Sequence, residues 1–276
     1  MPTNKKTLEE LLTQKPALGD GWVVGIQGSS NSGRSVLAAG APDPILYINL
    51  DRNTAHLKKF HPGQRIDFAH LGLGPDATMA DREALLAQIT TLWNAFLSGA
   101  VSPIFGSPWK TVVWDTQSAL WDFLYPLKVE TYIREHTDRK SAMNFASANA
   151  WMKSLGESRA TFRPDGNILF LLAEEGSWEQ VEENGKKTWF RNDSKPVMKG
   201  WGDGEMTGTF PICRLYIRMW RKAVESDPKT GKVIKRQVRD ATIKKCSDDE
   251  TFLTVKEELR EPVWADIQEI MDEVSK

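Results

Sequence analysis

An apolar run followed by a glycine-rich loop constrains this chain more than any other feature of its sequence. The apolar run is Trp22-Val23-Val24-Gly25-Ile26-Gln27, and it leads directly into Gly28-Ser29-Ser30-Asn31-Ser32-Gly33-Arg34-Ser35. This spacing is that of a phosphate-binding loop, G-x-x-x-x-G-K-[ST], with arginine in place of the lysine. The backbone N–H groups of such a loop point inward, and the following helix directs its positive end at the same place. The sequence therefore predicts a bound nucleotide between a buried strand and a helix.

Apolar runs and helical periodicity alternate as far as residue 175, which predicts an α/β fold. Buried strands are expected at 22–27, 45–51, 111–115 and 167–175, with a shorter one at 65–71. Helices are expected at 33–39, 78–99, 118–134 and 145–162. This alternation is typical of a mainly parallel central sheet flanked by helices.

The two ends of the chain differ from this alternating core. A short amphipathic helix is expected at 4–14, and a last helix from Pro262 to Val274. Residues 177–208 predict a loop or a β-hairpin, and the alternating runs 213–223 and 233–243 predict a second hairpin around a turn. The expected organisation is a lead-in at 1–20, one nucleotide-binding domain at 21–260 that includes the second hairpin, and the helix at 261–276.

Basic charge is concentrated in one part of the chain. Between Gly185 and Lys245 there are 16 Lys and Arg against 6 Asp and Glu, although the whole chain has a net charge of −1. We expect this basic segment to face phosphates or an acidic neighbouring subunit. The two cysteines and four histidines match no disulfide framework and no zinc spacing. With no signal peptide and no membrane-spanning run, the expectation is a cytoplasmic protein that does not bind membranes.

Several residues of the loop and of a later strand have chemical roles that this motif requires. Gly28 permits the tight turn and Gly33 the close approach of backbone to phosphate, while the Ser35 hydroxyl is placed to bind Mg²⁺. Asp115 follows four apolar or aromatic residues at a strand end, where a carboxylate would hold Mg²⁺ through water. A helix cap or a loop acid is the alternative for Asp115.

Two further strand ends carry acids. Asp51 ends the strand after the loop helix and is the candidate to orient or deprotonate an attacking water. Glu174 and Glu175 end the strand at 167–175, at the edge where a γ-phosphate would be sensed. A solvated acid at a strand end is the alternative for all three.

The second hairpin supplies the nucleic-acid hypothesis. Alternation from Cys213 places Arg214, Tyr216, Arg218, Trp220 and Lys222 on one face, opposite Cys213, Leu215, Ile217 and Met219. Basic groups interleaved with aromatic rings suit a single-stranded backbone and its stacked bases. The alternatives are an interface that places an arginine against the next subunit's nucleotide and, as the least favoured, a plain solvated face.

These features together resemble a known family. The loop Gly28–Ser35, the runs 46–51, 112–116 and 168–172, and the basic hairpin are similar to phage-encoded RecA-like P-loop ATPases of single-strand DNA recombination and annealing. The resemblance spans about residues 20–245. It implies a RecA-type core, ATP and Mg²⁺ at the loop, the catalytic acid at Asp51, Mg²⁺ support at Asp115, and assembly into rings or filaments.

Arg34 departs from that family's pattern, which has lysine. Arginine keeps the positive charge and binds phosphate with a planar fork, but it is bulkier than an ammonium and follows a γ-phosphate less well. We therefore expect nucleotide binding to survive better than hydrolysis. The alternatives are a slow ATPase that acts with single-stranded DNA and a nucleotide-binding scaffold without turnover. A small-molecule kinase is disfavoured because no arginine-rich lid is evident before residue 185.

Overall fold

The structure is a computed structural model, and it describes most of the expected core. The described residues are 21–50, 54, 56–74, 76–135, 150–155, 158, 163–183, 186–198, 213–224, 236–246 and 258–274. For parts of the later strands only the backbone is described. The expected helix at 4–14 lies outside these residues, and of the expected helix at 145–162 only 150–155, which is helical, and residue 158 are described.

Nine strands and five helices account for most of the described chain. The strands are β1 (Val23–Gly28), β2 (Ile45–Asn49), β3 (Ile66–His70), β4 (Thr111–Asp115), β5 (Asn167–Glu183), β6 (Lys186–Met198), β7 (Leu215–Val224), β8 (Arg236–Cys246) and β9 (Glu258–Arg260). The helices are α1 (Arg34–Ala39), α2 (Leu57–Phe60), α3 (Met79–Leu97), α4 (Gln117–Glu135) and α5 (Trp264–Val274). The strands expected at 22–27, 45–51, 65–71 and 111–115 and the helices expected at 33–39, 78–99 and 118–134 are confirmed to within a few residues, whereas the strand expected at 167–175 continues to Glu183.

One mixed sheet organises these elements, in the order β3-β2-β4-β5-β1-β7-β8-β9, with β6 paired to β5 outside this path. Strands β3, β2, β4, β5, β1 and β7 are parallel to one another. Strand β8 is antiparallel to β7, and β9 is antiparallel to β8. The prediction of an α/β fold with a mainly parallel sheet is confirmed. The glycine-rich loop leaves the carboxyl end of β1, a strand with neighbours on both sides.

Helices cover both faces of the sheet, because the buried strands present apolar side chains to each face. On one face α1, α2 and α5 pack on residues such as Ile26, Leu169 and Ile217. On the other face α3, α4 and the helical segment 150–155 pack on residues such as Ile48, Trp114 and Phe170. The near-continuous apolar runs in the sequence reflect this burial on two sides.

Both hairpins form, but they relate differently to the sheet. Beyond Ala173, β5 continues out of the parallel sheet and pairs antiparallel with β6, so the hairpin alternative for this segment is correct. The predicted second hairpin is the antiparallel pair β7 and β8. Its first strand also lies parallel to β1, so the hairpin is part of the main sheet. Leu215, Ile217 and Met219 require this position, because it buries them in the core beside α1.

None of the helices in the described part of the chain combines the length and the apolar character needed to cross a membrane.

Candidate functional site

The glycine-rich loop has the tight geometry that its sequence predicts. A Cβ added at Gly28 would lie 2.5 Å from both the Met219 carbonyl oxygen and Ser32 Oγ, so no side chain fits there. Gly33 has φ +98°, in the left-handed region that favours glycine, and its carbonyl accepts from Leu37 N at 2.9 Å as α1 begins. Asn31 also has positive φ, at 63°. The loop is thus curled back on itself at the end of β1.

Ser35 and Asp115 meet at the carboxyl edge of the sheet. Ser35 Oγ donates to Asp115 Oδ2 at 2.9 Å, and the Tyr47 hydroxyl donates to the same oxygen at 2.6 Å. The Asp115 side chain is buried, at the end of β4. The two residues predicted to hold Mg²⁺ therefore lie together, although they are far apart in the sequence. Tyr47, which orients the carboxylate from β2, was not predicted for the site.

Arg34 extends toward strand β5. Its Nη1 donates to the main-chain carbonyl of Leu172, which lies next to Gln27 in the β1–β5 register. This hydrogen bond places the guanidinium between the loop strand and its neighbour, at the same edge as Ser35. The arginine at the lysine position is thus tied to the sheet by at least one of its N–H groups.

A cleft of about 310 Å³ lies over the loop. Ser32 lines it and is fully buried, and its Oγ has no hydrogen-bond partner among the described residues. Buried hydroxyl groups are normally satisfied, and one that is not often marks the place of a missing ligand or water. The cleft is large enough for a small-molecule site.

Of the two acidic residues predicted to be catalytic, the structure describes only Glu174. Asp51 lies outside the described residues, and its role stays a prediction. Glu174 is described, and its side chain is only 6% exposed. Its Oε1 accepts from Arg218 Nε at 2.7 Å, so β5 and β7 are joined by an ion pair across the end of β1. Two residues assigned to different roles from the sequence, catalysis and nucleic-acid contact, are therefore partners.

The nucleic-acid hypothesis requires correction at Tyr216. This ring is 2% exposed and packs under Gly25, where an added Cβ would lie 2.5 Å from its Cδ2. Its hydroxyl donates to Gln27 Oε1 at 3.1 Å, and burial raises the pKa of the phenol above its usual range. A base cannot stack on this ring, because β7 is an interior strand whose second face is also covered.

Of the other members of the predicted basic face, Arg214 and Arg218 have partners within the protein. Arg214 precedes β7, stacks its guanidinium 4.0 Å from the centre of the Trp22 ring, and donates to the Gly21 carbonyl at 3.3 Å. Trp220 is half-buried. Lys222 lies in β7, where its backbone is described. Arg214 therefore packs against the sheet, and the roles of Trp220 and Lys222 stay predictions.

Five cleft residues were missed from the sequence: Val36 in α1, His56 just before α2, Phe60 at the end of α2, Arg221 in β7 and Arg239 in β8. A signal for Arg221 existed, because the residues two, four and six positions before it are apolar and buried. A cation at the next position of that face breaks the pattern. Arg239 became recognisable only from the strand register, in which it lies opposite Arg221.

No group of three or more His, Cys, Asp or Glu side chains that would hold a metal ion occurs within the described ranges. A Mg²⁺ ion bound with a nucleotide needs fewer protein ligands, because phosphates and waters complete its octahedron. The Ser35 hydroxyl and the Asp115 carboxylate are oxygen ligands of the kind that Mg²⁺ prefers, and they lie at hydrogen-bond distance from each other. This arrangement fits such an ion.

Comparisons with known proteins add little to this geometry. No family model matches the sequence, and no curated protein matches it. Among solved structures, the RadB recombinase is similar over 94% of this chain and 94% of its own, at 12% identity and a TM-score of 0.44. A KaiC-like protein of the archaeon Pyrococcus horikoshii OT3 is similar over 87% of this chain and 83% of its own, at 11% identity and a TM-score of 0.36. These scores establish no family, so the function rests on the site.

Proposed function

We propose that this chain is a RecA-like P-loop protein that binds ATP with Mg²⁺ and hydrolyses it slowly. In this proposal it acts on or with single-stranded DNA in phage recombination or replication, in the host cytoplasm, as a ring or filament of identical subunits. The loop binds the phosphates, and the carboxyl edge of the sheet supplies the other groups.

The observation that carries the nucleotide site is the 2.9 Å hydrogen bond between Ser35 Oγ and Asp115 Oδ2. A glycine-rich loop can arise by chance, but here a hydroxyl from its end also meets a carboxylate from a separate strand, as a Mg²⁺-nucleotide site requires. Tyr47 fixes the carboxylate, and Ser32, whose Oγ has no partner among the described residues, is part of the lining of the cleft over the loop. This donor set suits a triphosphate with its metal.

Mg²⁺, when bound with the nucleotide, would neutralise charge on the phosphate oxygens. Ser35 and Asp115 would hold it, the latter through water. The loop N–H groups bind and orient the phosphate tail, and Asp51 is proposed to position the attacking water. Positioning and charge neutralisation supply most of the catalysis in phosphoryl transfer.

Slow turnover follows from the position of Arg34. Its guanidinium already donates to the Leu172 carbonyl, and a planar fork adjusts less readily than an ammonium group as charge develops on the γ-phosphate. Binding energy is therefore retained better than transition-state stabilisation. Measured turnover that is fast and unaffected by Arg34→Ala would contradict this part of the proposal.

Phosphate release from ATP, measured with and without single-stranded DNA, tests the enzymatic function. Asp115→Ala is expected to abolish DNA-stimulated release, because it removes the carboxylate partner of Ser35. Asp76→Ala is the matched control, since Asp76 is an exposed loop acid that does not line the cleft. If wild type binds ATP but releases no phosphate with DNA, the chain is a nucleotide-binding scaffold instead.

The DNA-binding part of the proposal is supported by the basic character of the segment between Gly185 and Lys245, which has 16 basic and 6 acidic residues. Binding of a labelled single-stranded oligonucleotide should weaken steeply with salt, as expected when basic groups displace counterions. Trp220→Ala should reduce this affinity if the half-buried ring stacks on a base. Arg218→Ala is a poorer test, because it also leaves Glu174 without its partner.

A further inference from the structure

Two arginines from the distant end of the chain line the cleft over the glycine-rich loop. They are Arg221 of β7 and Arg239 of β8, and they join loop residues Ser32, Gly33 and Arg34 in the lining. Neither belongs to the loop motif, and neither lies on the face of the hairpin that the sequence marked as basic.

The strand register explains how they reach the loop. In the parallel pairing of β1 with β7, Met219 lies opposite Gly28, the last residue of β1. Strand β7 therefore continues past the end of β1, at the level where the loop begins. Arg221 is the next residue on the Met219 face, and Arg239 lies directly opposite it on β8. That face is the one on which α1 packs.

Arg239 is in direct contact with the loop. A Cβ added at Gly33 would lie 2.6 Å from Arg239 Cδ and 2.9 Å from its Nε, so the side chain lies flat against the glycine. The guanidinium carbon is 5.8 Å from the centre of the Phe60 ring. Glycine is thus required at position 33 for two reasons, the positive φ of its backbone and the close approach of the Arg239 side chain.

Within the described ranges, neither of the two arginines is paired with an acid. No described carboxylate forms an ion pair with Arg221 or Arg239. Like charges directly opposite each other on paired strands destabilise the sheet. An anion in the cleft would offset this repulsion, and guanidinium groups bind phosphate oxygens with a matching fork.

We propose that Arg221 and Arg239 bind the phosphates of a nucleotide held by the loop of their own chain. This inference rests on the proposed nucleotide site and extends it to a part of the chain that the loop motif does not include. The pair provides positive charge in cis, beside an Arg34 that is tied to β5. Phe60 supports the Arg239 guanidinium through its ring face.

Titration of the full-length protein with MgATP, MgADP and AMP tests the proposal. Arg239→Ala and Arg221→Ala are each expected to weaken ATP binding about tenfold or more, the scale of a charge-assisted hydrogen bond. AMP binding should change much less, because it lacks the outer phosphates. Arg239→Lys should recover part of the ATP affinity, and inorganic tripolyphosphate should compete with ATP in the wild type.

Arg260→Ala is the matched control, since Arg260 is an exposed arginine on β9 that does not line the cleft. Thermal unfolding without nucleotide confirms that each variant is folded. ATP affinities of the two test variants within twofold of the control would overturn the inference, while the nucleotide site itself would stand. An equal loss for ATP, ADP and AMP would also overturn it, because base or ribose contact would then be the role. A wild type that binds none of the three would instead overturn the proposed function.

Discussion

At the scale of single residues, Gly33 connects the loop motif to the rest of the molecule. Its φ of +98° alone disfavours other residues, and the Arg239 side chain occupies the space where a Cβ would be. The second constraint cannot be read from the motif, because it comes from a strand far along the chain. One glycine therefore meets a local and a long-range requirement at once.

Gly33→Ala should lower the free energy of unfolding by about 1–2 kcal/mol, because it combines a left-handed backbone with a clash. It should also weaken ATP binding by displacing Arg239. Gly63→Ala is the control, since a Cβ at Gly63 meets nothing within 4 Å. Urea unfolding and ATP titration measure the two effects, and equal stability of the two variants would contradict the expectation.

Tyr216 gives a prediction about alkaline pH. Burial raises the pKa of its phenol in the folded state, so above about pH 10 the unfolded chain loses this proton while the folded chain keeps it. The contribution of this group is fully present below the unfolded pKa and is lost as pH rises above it. Stability should fall there, and the fall should be less steep in Tyr216→Phe. Urea midpoints from pH 8 to pH 11 measure the slope; identical slopes would argue against the buried phenol.

At the scale of secondary structure elements, Arg163 fastens α3 to the approach of β4. Its Nη1 donates to the Phe96 carbonyl at 3.0 Å, near the end of α3, and its Nη2 to the Trp109 carbonyl at 2.8 Å. The guanidinium also lies 5.4 Å from the centre of the Phe96 ring. Although charged, Arg163 is only 8% exposed, because these carbonyls and Asp165 satisfy it.

Arg163→Ala should therefore destabilise the fold by about 1–3 kcal/mol, since it removes the side-chain donor of the Trp109 carbonyl, whereas the Phe96 carbonyl still accepts from Gly99 N at 3.1 Å. Asp165→Ala should cost much less, because that carboxylate is 67% exposed. Thermal unfolding of both variants is the measurement. A loss in Asp165→Ala as large as in Arg163→Ala would mean that the ion pair, and not the carbonyl contacts, is what matters.

The sequence predicted the elements of the core, but it did not determine their lateral order in the sheet. Runs such as Thr111–Asp115 are apolar on both faces, and only a strand in a covered sheet buries them, so their position was readable. The alternation in β7 was also readable, yet it has the same form in an edge hairpin and in an interior strand. The neighbours of β7 decide that Tyr216 is buried and that Arg218 meets Glu174. Contacts of this kind depend on register between distant segments, which periodicity does not encode.

At the scale of the whole molecule, the proposed site joins segments from nearly the full length of the chain. The loop follows β1, Asp115 ends β4, the Leu172 carbonyl belongs to β5, and Arg239 belongs to β8. A ligand that contacts all of these binds only the folded state. It should therefore stabilise the whole sheet rather than the loop alone.

MgATP at about 100 times its dissociation constant should add about 2.7 kcal/mol of stability. For a chain of this size that corresponds to a rise in Tm of roughly 5–10 °C. The rise should be smaller in Asp115→Ala, which loses the metal-dependent part, and unchanged in Asp76→Ala. Differential scanning calorimetry with ATP, with and without Mg²⁺, separates the stabilisation by the nucleotide alone from the part that needs the metal. A wild-type Tm that does not change would contradict nucleotide binding.

The interior position of β1 also bears on the order in which the protein is made. The ribosome produces the glycine-rich loop early, but both strands that flank β1 come later in the chain, and Arg239 later still. A nascent chain that stops before β7 carries the complete motif without the Met219 carbonyl beneath Gly28 or the arginine against Gly33. The pocket proposed for a nucleotide is therefore complete only once translation has passed β8, and a truncated product carries the loop motif without that pocket.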